Sequence, residues 1–487
     1  MSNNTISPKP YDELMARYKD YITAFDSIYK LNSNEKNEIS KVYKLIKTNL
    51  IETKIIMPDQ MINIISEASN NNLRYLNGYL AICKLIYDEY HPQNIVRISK
   101  FFDYFAHKEY GIFFDEKNKY KVKKFEIDRL TKAILNDDQK ALMHITQSKN
   151  FNVKQKIKNV FEHSSYIEYS LLELCCFHGS VNCFNYLTST YNSKITSHCL
   201  AYSFLHDNNE IREECMKAKK PNWGCMMNAL VSHHNDYVLL LLKDKEFKIN
   251  LETCVNHNNL QAFLIYLDQT NEMGECFQYS GGFNLPGLCE YFLSHGVSVN
   301  NQDENVKMSI YHAAYHGCYD SLKYLISRGI NVRDVKPKYG PNPLNVAVRS
   351  GSIETAELLI KNGVEVNSID SYNVGPLCYA IENGRVDMVR MLIAHGAEPF
   401  NRKIYFEACL TQAVRESSLE VVEFLLSLGA SILEGDDNEF TPFITSFAYN
   451  RKDMAYSMLF YKSNVLTYCY GLIVMLILFI LLKFMKR

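Results

Sequence analysis

Tryptophan occurs once in the 487 residues, as Trp223, and neither sign of charge prevails: 53 Lys+Arg against 54 Asp+Glu leave a formal net charge of -1. That balance excludes the strongly basic surface on which nucleic-acid binding depends, so no nucleic-acid partner is expected. Catalytic signatures are missing as well. No GxxxxGK(S/T) loop, GxGxxG turn, HExxH or GxSxG is present, and neither is a Cys-rich DHHC segment; each would place a phosphate, a zinc ion or a nucleophile in a defined local geometry. The fourteen cysteines, Cys83 to Cys469, contain no CxxC pair, which excludes the usual zinc-ribbon and redox arrangements. Their densest group, Cys175, Cys176 and Cys183 beside His178, lies in apolar helical runs, where a thiol acts as a small hydrophobe rather than a metal ligand. A non-enzymatic chain in a reducing compartment, without cofactor or metal, is the expectation. SHHNDY, with His233, His234 and Asp236, reads as a turn between two short helices.

Secretory signal features are also missing from Met1 to Pro10, but the other end is strongly apolar. From Val465 through Gly471 and Leu472 to Leu482 there are 18 residues without a charge, followed by Lys483, Lys486 and Arg487. A helix of that length spans about 27 Å, near the thickness of a bilayer core. The expectation is a single C-terminal transmembrane helix in contact with membrane lipid, a single-pass protein whose large N-terminal part faces the cytosol. A buried helix capping the preceding stack is the alternative.

Periodicity organises the middle of the chain. Glycines in a recurring G-apolar context stand at Gly296, Gly329, Gly363, Gly396 and Gly429, separated by 33, 34, 33 and 33 residues. Twelve residues before the last four lie Gly317, Gly351, Gly384 and Ser417, and Asn450 continues this second register. Two punctuation marks per period describe helix, turn, helix and a hairpin loop. Pro343, Pro376 and Pro442 fall at a first helical turn, where a missing N–H costs nothing, and Asn342 and Thr441 stand ready as N-caps. Small residues recur at Ala313, Ala347, Ala380, Ala413 and Ser446, so neighbouring helices can approach closely. Paired apolar residues such as Leu358/Leu359 and Met391/Leu392 mark each second helix.

These residues resemble the ankyrin repeat, TPLHxAAxxG followed by LLxxGAxxN, and Ser309 to Asn331 is a clear member. The tetrapeptide is never complete: its His position holds Tyr311, Asn345, Cys378, Thr411 and Ile444, so the hydrogen bonding that this His gives between repeats must be weaker or replaced. Upstream, SLLELCCFHGSVNCFNYL and the pairs between Thr196 and Asp268 recur every 24 to 30 residues, too short for a full hairpin. From Phe161 to Phe460 the chain is similar to the large trichomonad-type family of ankyrin-repeat proteins, in which a helical domain of unknown function precedes regular repeats. The resemblance implies an all-α ankyrin-repeat solenoid with hairpin fingers and protein partners, not a reaction. The expected divisions are an N-terminal helical region at 1–124, degenerate helix pairs at 125–284, regular repeats at 285–462, and an anchor with a short basic tail at 463–487. The first of these is read as a helical cap for the array in preference to a docking domain.

Function is therefore sought on the repeat surface. Tyr339, Tyr372 and Tyr405 recur near the finger tips, and tyrosine buries large area at little rotamer cost. Arg333, Lys336 and Lys338 make one tip basic, while Tyr315, Arg349, Glu382 and Arg415 are the first-helix positions of the concave face. The expectation is a protein-protein interaction scaffold or adaptor tethered to a membrane. A substrate-recruiting subunit of an enzyme complex such as a ubiquitin ligase, and a soluble self-associating structural protein, are the alternatives.

Overall fold

The computed structural model describes residues 10–92, 95, 98–115, 125–148, 150–158, 168–299, 303–333, 335, 342–370, 374–398, 409–416, 418–432 and 440–461. The chain divides into two compact units, Met1–Leu325 and Ile326–Arg487. The first begins with α1 (Pro10–Arg17), α2 (Lys19–Tyr29), α3 (Lys36–Ile46), α4 (Pro58–Asn70), α5 (Leu76–Tyr90) and α6 (Lys100–Tyr110). Helix pairs follow: α7 (Arg129–Leu135) with α8 (Gln139–Thr146), α9 (Leu171–His178) with α10 (Val181–Tyr191), and α11 (Ser197–Tyr202) with α12 (Asn209–Ala218). Next come α13 (Trp223–Val231) with α14 (Asn235–Leu241), α15 (Leu251–Asn256) with α16 (Leu260–Thr270), α17 (Met273–Ser280) with α18 (Pro286–Ser294), and α19 (Glu304–Tyr315) with α20 (Tyr319–Ser327). The second unit holds α21 (Pro343–Ser350) and α22 (Ile353–Lys361), α23 (Pro376–Asn383) and α24 (Val386–Ala394), α25 (Cys409–Glu416) and α26 (Leu419–Ser427), and α27 (Pro442–Ala448) and α28 (Lys452–Phe460). The helical expectation is met apart from one short antiparallel hairpin, β1 (Lys156–Lys158) and β2 (Glu168–Ser170), with Ile157 opposite Tyr169. Ser170 ends β2 and caps α9 in a capping box with Glu173.

Local chemistry fixes both punctuation marks. Gly296, Gly329, Gly363, Gly396 and Gly429 adopt φ between +90° and +96°, the left-handed conformation that ends a helix without a Cβ penalty. Gly317, Gly351 and Gly384 are left-handed too, at +66°, +86° and +69°. Asn342 accepts from the Asn345 N–H and Thr441 from that of Ile444, so both are the N-caps their positions predict. The missing repeat histidine is replaced at one position: Asn345, fully buried, donates from Nδ2 to the Val374 carbonyl, 3.2 Å away and 29 residues on. The residue after the turn position provides a second tie to the preceding repeat's turn glycine. Buried Arg385 donates from Nη1 to the Gly351 carbonyl at 2.6 Å, and Ser418 Oγ lies 3.4 Å from that of Gly384.

Small residues set the closest helix approaches. Ala313, Ala347, Ala380, Ala413 and Ser446 are all fully buried, and a Cβ at Gly281 would lie 2.5 Å from the Ser309 carbonyl of α19. Thirteen free thiols, Cys83 to Cys409, are buried. No group of three His, Cys, Asp or Glu side chains able to hold a metal occurs among the described residues. Burial pushes Cys175 and Cys183 upward, which disfavours the thiolate a metal would need.

The N-terminal helices do not simply cover the first pair. They run along the turns of successive pairs: Arg74 donates to the Leu135 carbonyl at 3.0 Å and to Ser180 Oγ at 2.9 Å. Tyr21 donates to Asn258 Oδ1 at 3.2 Å, and Asn284 Nδ2 donates to the Ile55 carbonyl at 2.7 Å. Ser232 to His234 of SHHNDY form the expected turn between α13 and α14, with Asn235 to Tyr237 opening α14, but His233 also meets Asp26 at 2.8 Å.

The expectation of a single C-terminal transmembrane helix, and with it a single-pass membrane localisation, is corrected. Among the described residues no helix is long and apolar enough to cross a membrane. The longest described helix, α5, has 15 residues and spans only about 22 Å, while helices such as α25 bury one face and leave Gln412, Arg415 and Glu416 half-buried on the other. Val465, Gly471, Leu472 and Leu482, on which the membrane segment was placed, lie outside the described residues.

Candidate functional site

In the second unit the first helices α21, α23, α25 and α27 stand side by side, each packed on the next. Their buried faces carry Leu344, Ala347, Leu377, Ala380, Leu410 and Ala413. Arg349, Glu382 and Arg415 come at the ends of successive helices, one repeat apart, with Arg349 and Glu382 exposed and Arg415 half-buried. The structure does more with the arginines than the spacing shows. The Arg349 guanidinium sits 5.3 Å from the centroid of the Tyr379 ring on the next helix, and that of Arg415 lies 5.7 Å from the Tyr449 ring. A cation over an aromatic face is stabilised by the ring, so each ring steadies the charge beside it, exposed at Arg349 and half-buried at Arg415.

Further bonds fix the platforms. Tyr379 donates to Asp370 Oδ2 at 2.5 Å, and burial together with that bond raises its phenol above the ordinary value. Asn383 Nδ2 lies 3.3 Å from the Val348 and Arg349 carbonyls, closing the end of α21 onto α23. Tyr379, Tyr449 and Asn383 were not among the residues the sequence singled out. Their signal was present as aromatic or amide residues one helix beyond an arginine.

Arg333 has another role than a free tip charge: its Nε donates to the Asn362 carbonyl at 3.3 Å, a cation at the C-terminus of α22. Gly363 leaves the room for it, since a Cβ there would lie 2.2 Å from that nitrogen. Lys336, Lys338, Tyr339, Tyr372 and Tyr405 lie outside the described residues. In the first unit Tyr315 is exposed at the end of α19, its ring stacked on that of Tyr311 at 6.1 Å, and Tyr279 covers His312 at 4.6 Å. Burial lowers His312 to about 4, so this group is uncharged at neutral pH.

Residues 279–370 and 333–403 match the family described as Ankyrin repeats (3 copies). This part of the chain carries ankyrin repeats. Ahead of these repeats, residues 191–266 match a family described only as Domain of unknown function (DUF3447), which here is the run of short helix pairs from α11 to α16. A protein described as an ankyrin repeat protein, from Rickettsia felis (strain ATCC VR-1525 / URRWXCal2), is 29% identical over 133 residues, 24% of this chain and 44% of that protein. The match spans less than half of that relative's length. Ankyrin repeats are protein-protein interaction modules, and that is the role the matched repeats indicate for residues 279–403.

Proposed function

We propose that this ankyrin-repeat protein is a non-enzymatic adaptor that grips a protein partner between its finger tips and the first-helix face of its regular repeats. The observation that carries the reading is the pair of braced cations, Arg349 over Tyr379 and Arg415 over Tyr449, with Glu382 between them on the intervening helix. A row that alternates in sign and is backed by rings selects a partner of complementary charge order and bonds both of its signs. Tyr339, Tyr372 and Tyr405 at the finger tips would extend this surface, and Tyr315 belongs to the corresponding position of the repeat before. The divisions at 124, 284 and 462 then separate an N-terminal helical region and short pairs from the repeats that grip.

Affinity capture from native extract, comparing the full chain with a Tyr339→Ala/Tyr372→Ala/Tyr405→Ala variant and with Arg349→Glu/Arg415→Glu, tests the assignment. Partner recovery should drop in both while circular dichroism and thermal midpoint stay within error. Unchanged recovery from a folded tip variant makes the tyrosines structural. Unchanged recovery from the arginine variant removes the first-helix face from the proposal.

A further inference from the structure

Aromatic rings on the first helices are treated differently in the two units. In the second the chain lays its own arginines on such rings, Arg349 on Tyr379 and Arg415 on Tyr449. In the first, Tyr279 of α17 and Tyr315 of α19 have no cation over them among the described residues, and Tyr315 is 43% exposed. Tyr279 is half-buried against His312, 4.6 Å between centroids, and Tyr315 meets the His316 ring edge-on at 5.0 Å. His312 and His316 stack on each other at 6.4 Å, so the four rings form one aromatic floor from α17 to α19. Burial foremost lowers His316 to about 3, as it lowers His312 to about 4, and the floor therefore bears no positive charge at neutral pH.

The charges that act on this floor are negative. Burial raises the Tyr279 phenol, and the carboxylates of Glu252 in α15 and Glu275 in α17 raise it further. Both glutamates are exposed. Helices α15, α17 and α19 carry one more acid, Glu304, and one lysine, Lys307, and these two pair with each other at 3.5 Å. Glu275 accepts from the Tyr266 hydroxyl, and among the described residues neither it nor Glu252 has a cationic partner. An acidic ligand is repelled here, and an apolar one covers the rings while taking water from two unpaired carboxylates. A guanidinium or ammonium group uses both features at once, its face on a ring and its N–H groups on a carboxylate. We propose that the first-helix face of α15, α17 and α19 docks a basic segment of a partner protein, whose arginine or lysine side chains lie on the Tyr279 and Tyr315 rings and pair with Glu252 and Glu275. That the occupant is a protein rests on the adaptor reading above; the charge it carries rests on this face alone. The segment supplies to these rings what Arg349 and Arg415 supply to theirs.

Fluorescence anisotropy on the full chain tests this, with a labelled peptide of alternating glycine and arginine and control peptides in which glutamate or serine replaces the arginine. The arginine probe should bind at least about tenfold tighter than either control and weaken as salt rises, because its ion pairs are exposed. Glu252→Gln/Glu275→Gln should weaken it about tenfold and remove most of the salt dependence. Tyr315→Leu, which keeps an apolar side chain without the ring face, should cost about two- to fivefold, and Tyr315→Phe should restore binding. Arg349→Ala/Arg415→Ala should bind the probe as the unsubstituted chain does. Equal binding of the arginine and control peptides, or unchanged binding by a folded carboxamide or leucine variant, overturns the site, and so does a loss confined to Arg349→Ala/Arg415→Ala. Should Glu252→Gln/Glu275→Gln not fold, Glu252→Gln alone, at an exposed position, decides between a loss of about threefold and none. Failed capture from extract, with the arginine probe still bound and sensitive to Glu252 and Tyr315, removes the first-helix row of the regular repeats and leaves this site standing.

Discussion

Gly351 and Arg385 form a tie between adjacent repeats whose strength can be isolated. The Arg385 guanidinium donates to the Gly351 carbonyl at 2.6 Å and is held from behind by Asp387, with Nη2 to Oδ2 at 3.2 Å. Arg385→Ala removes a charge-assisted bond to a backbone carbonyl, which costs about 1.5–3 kcal/mol. Gly351→Ala does two things. At φ +86° a Cβ adds left-handed strain of about 1–2 kcal/mol, and that Cβ would lie 2.5 Å from Arg385 Nη1, so the guanidinium must leave its bond. Each single change therefore breaks the same bond, and the double variant breaks it once. The double variant should be less destabilised than the sum of the singles by about 1.5–3 kcal/mol. Native-state hydrogen exchange of α21 and α23 in low urea reads these repeats directly, without assuming that the whole chain unfolds in one step. Additivity within about 0.5 kcal/mol refutes the reasoning.

Three further outcomes follow from packing and bonding. Gly281→Ala drives a Cβ to within 2.5 Å of the Ser309 backbone carbonyl, which cannot swing away as a side chain can, and should lower stability of the first unit by about 1–3 kcal/mol in urea titration. Phe263→Ala, at a fully buried ring 5.1 Å from Phe283 and 6.3 Å from Phe292, should cost about 3–5 kcal/mol; a loss below about 1.5 would mean the helices collapse into the space. Asn345→Leu removes one of two donors to the Val374 carbonyl, which keeps the Asp370 N–H at 3.0 Å, and leaves the cap of α21 intact, so exchange protection should drop by about 0.5–1.5 kcal/mol at the α21 to α23 contact while α26 is unaffected.

The repeat was legible because its signals are local. Gly329, Gly363 and Gly396 end helices through backbone conformation, and Pro343, Pro376 and Pro442 begin them through missing N–H groups; both can be read one residue at a time. Arg349, Glu382 and Arg415 could be placed on one face because a fixed period maps sequence spacing onto space. What the sequence concealed were contacts between segments far apart. Asp26 and His233 are separated by 207 residues and Ile55 and Asn284 by 229, and no period connects them. The role of the N-terminal helices as a flank along the turns was hidden for that reason. Apolar composition alone misled at the other end, where an uncharged run of 18 residues fits more than one environment.

Acid should affect the two units differently. Burial foremost depresses His178 and His316 to about 3 and His206, His234, His257 and His312 to about 4. All six lie in the unit Met1–Leu325. Each is neutral when folded, whereas in the unfolded chain an imidazole takes up a proton below about pH 6.5. The unfolded state then binds more protons, so stability falls as pH falls, by up to about 2 kcal/mol per group at pH 5 before local opening reduces it. Asp26 and Glu173 add nothing in this window. His233 opposes the burial of their charge for Asp26, as hydrogen bonds from Ser170 and Thr196 do for Glu173, and both carboxyls are held below the ordinary range, so their contribution is lost only at lower pH. The lone Trp223, in α13, makes fluorescence a reporter of this unit alone, while far-ultraviolet dichroism follows both. Urea unfolding at pH 7 and pH 5 should show the fluorescence midpoint falling by more than the dichroism midpoint, with the dichroism curve separating into two steps at the lower pH. A fluorescence midpoint at pH 5 equal to or above that at pH 7 would mean that these imidazoles are hydrated in the folded chain and that their burial does not control the stability of the unit.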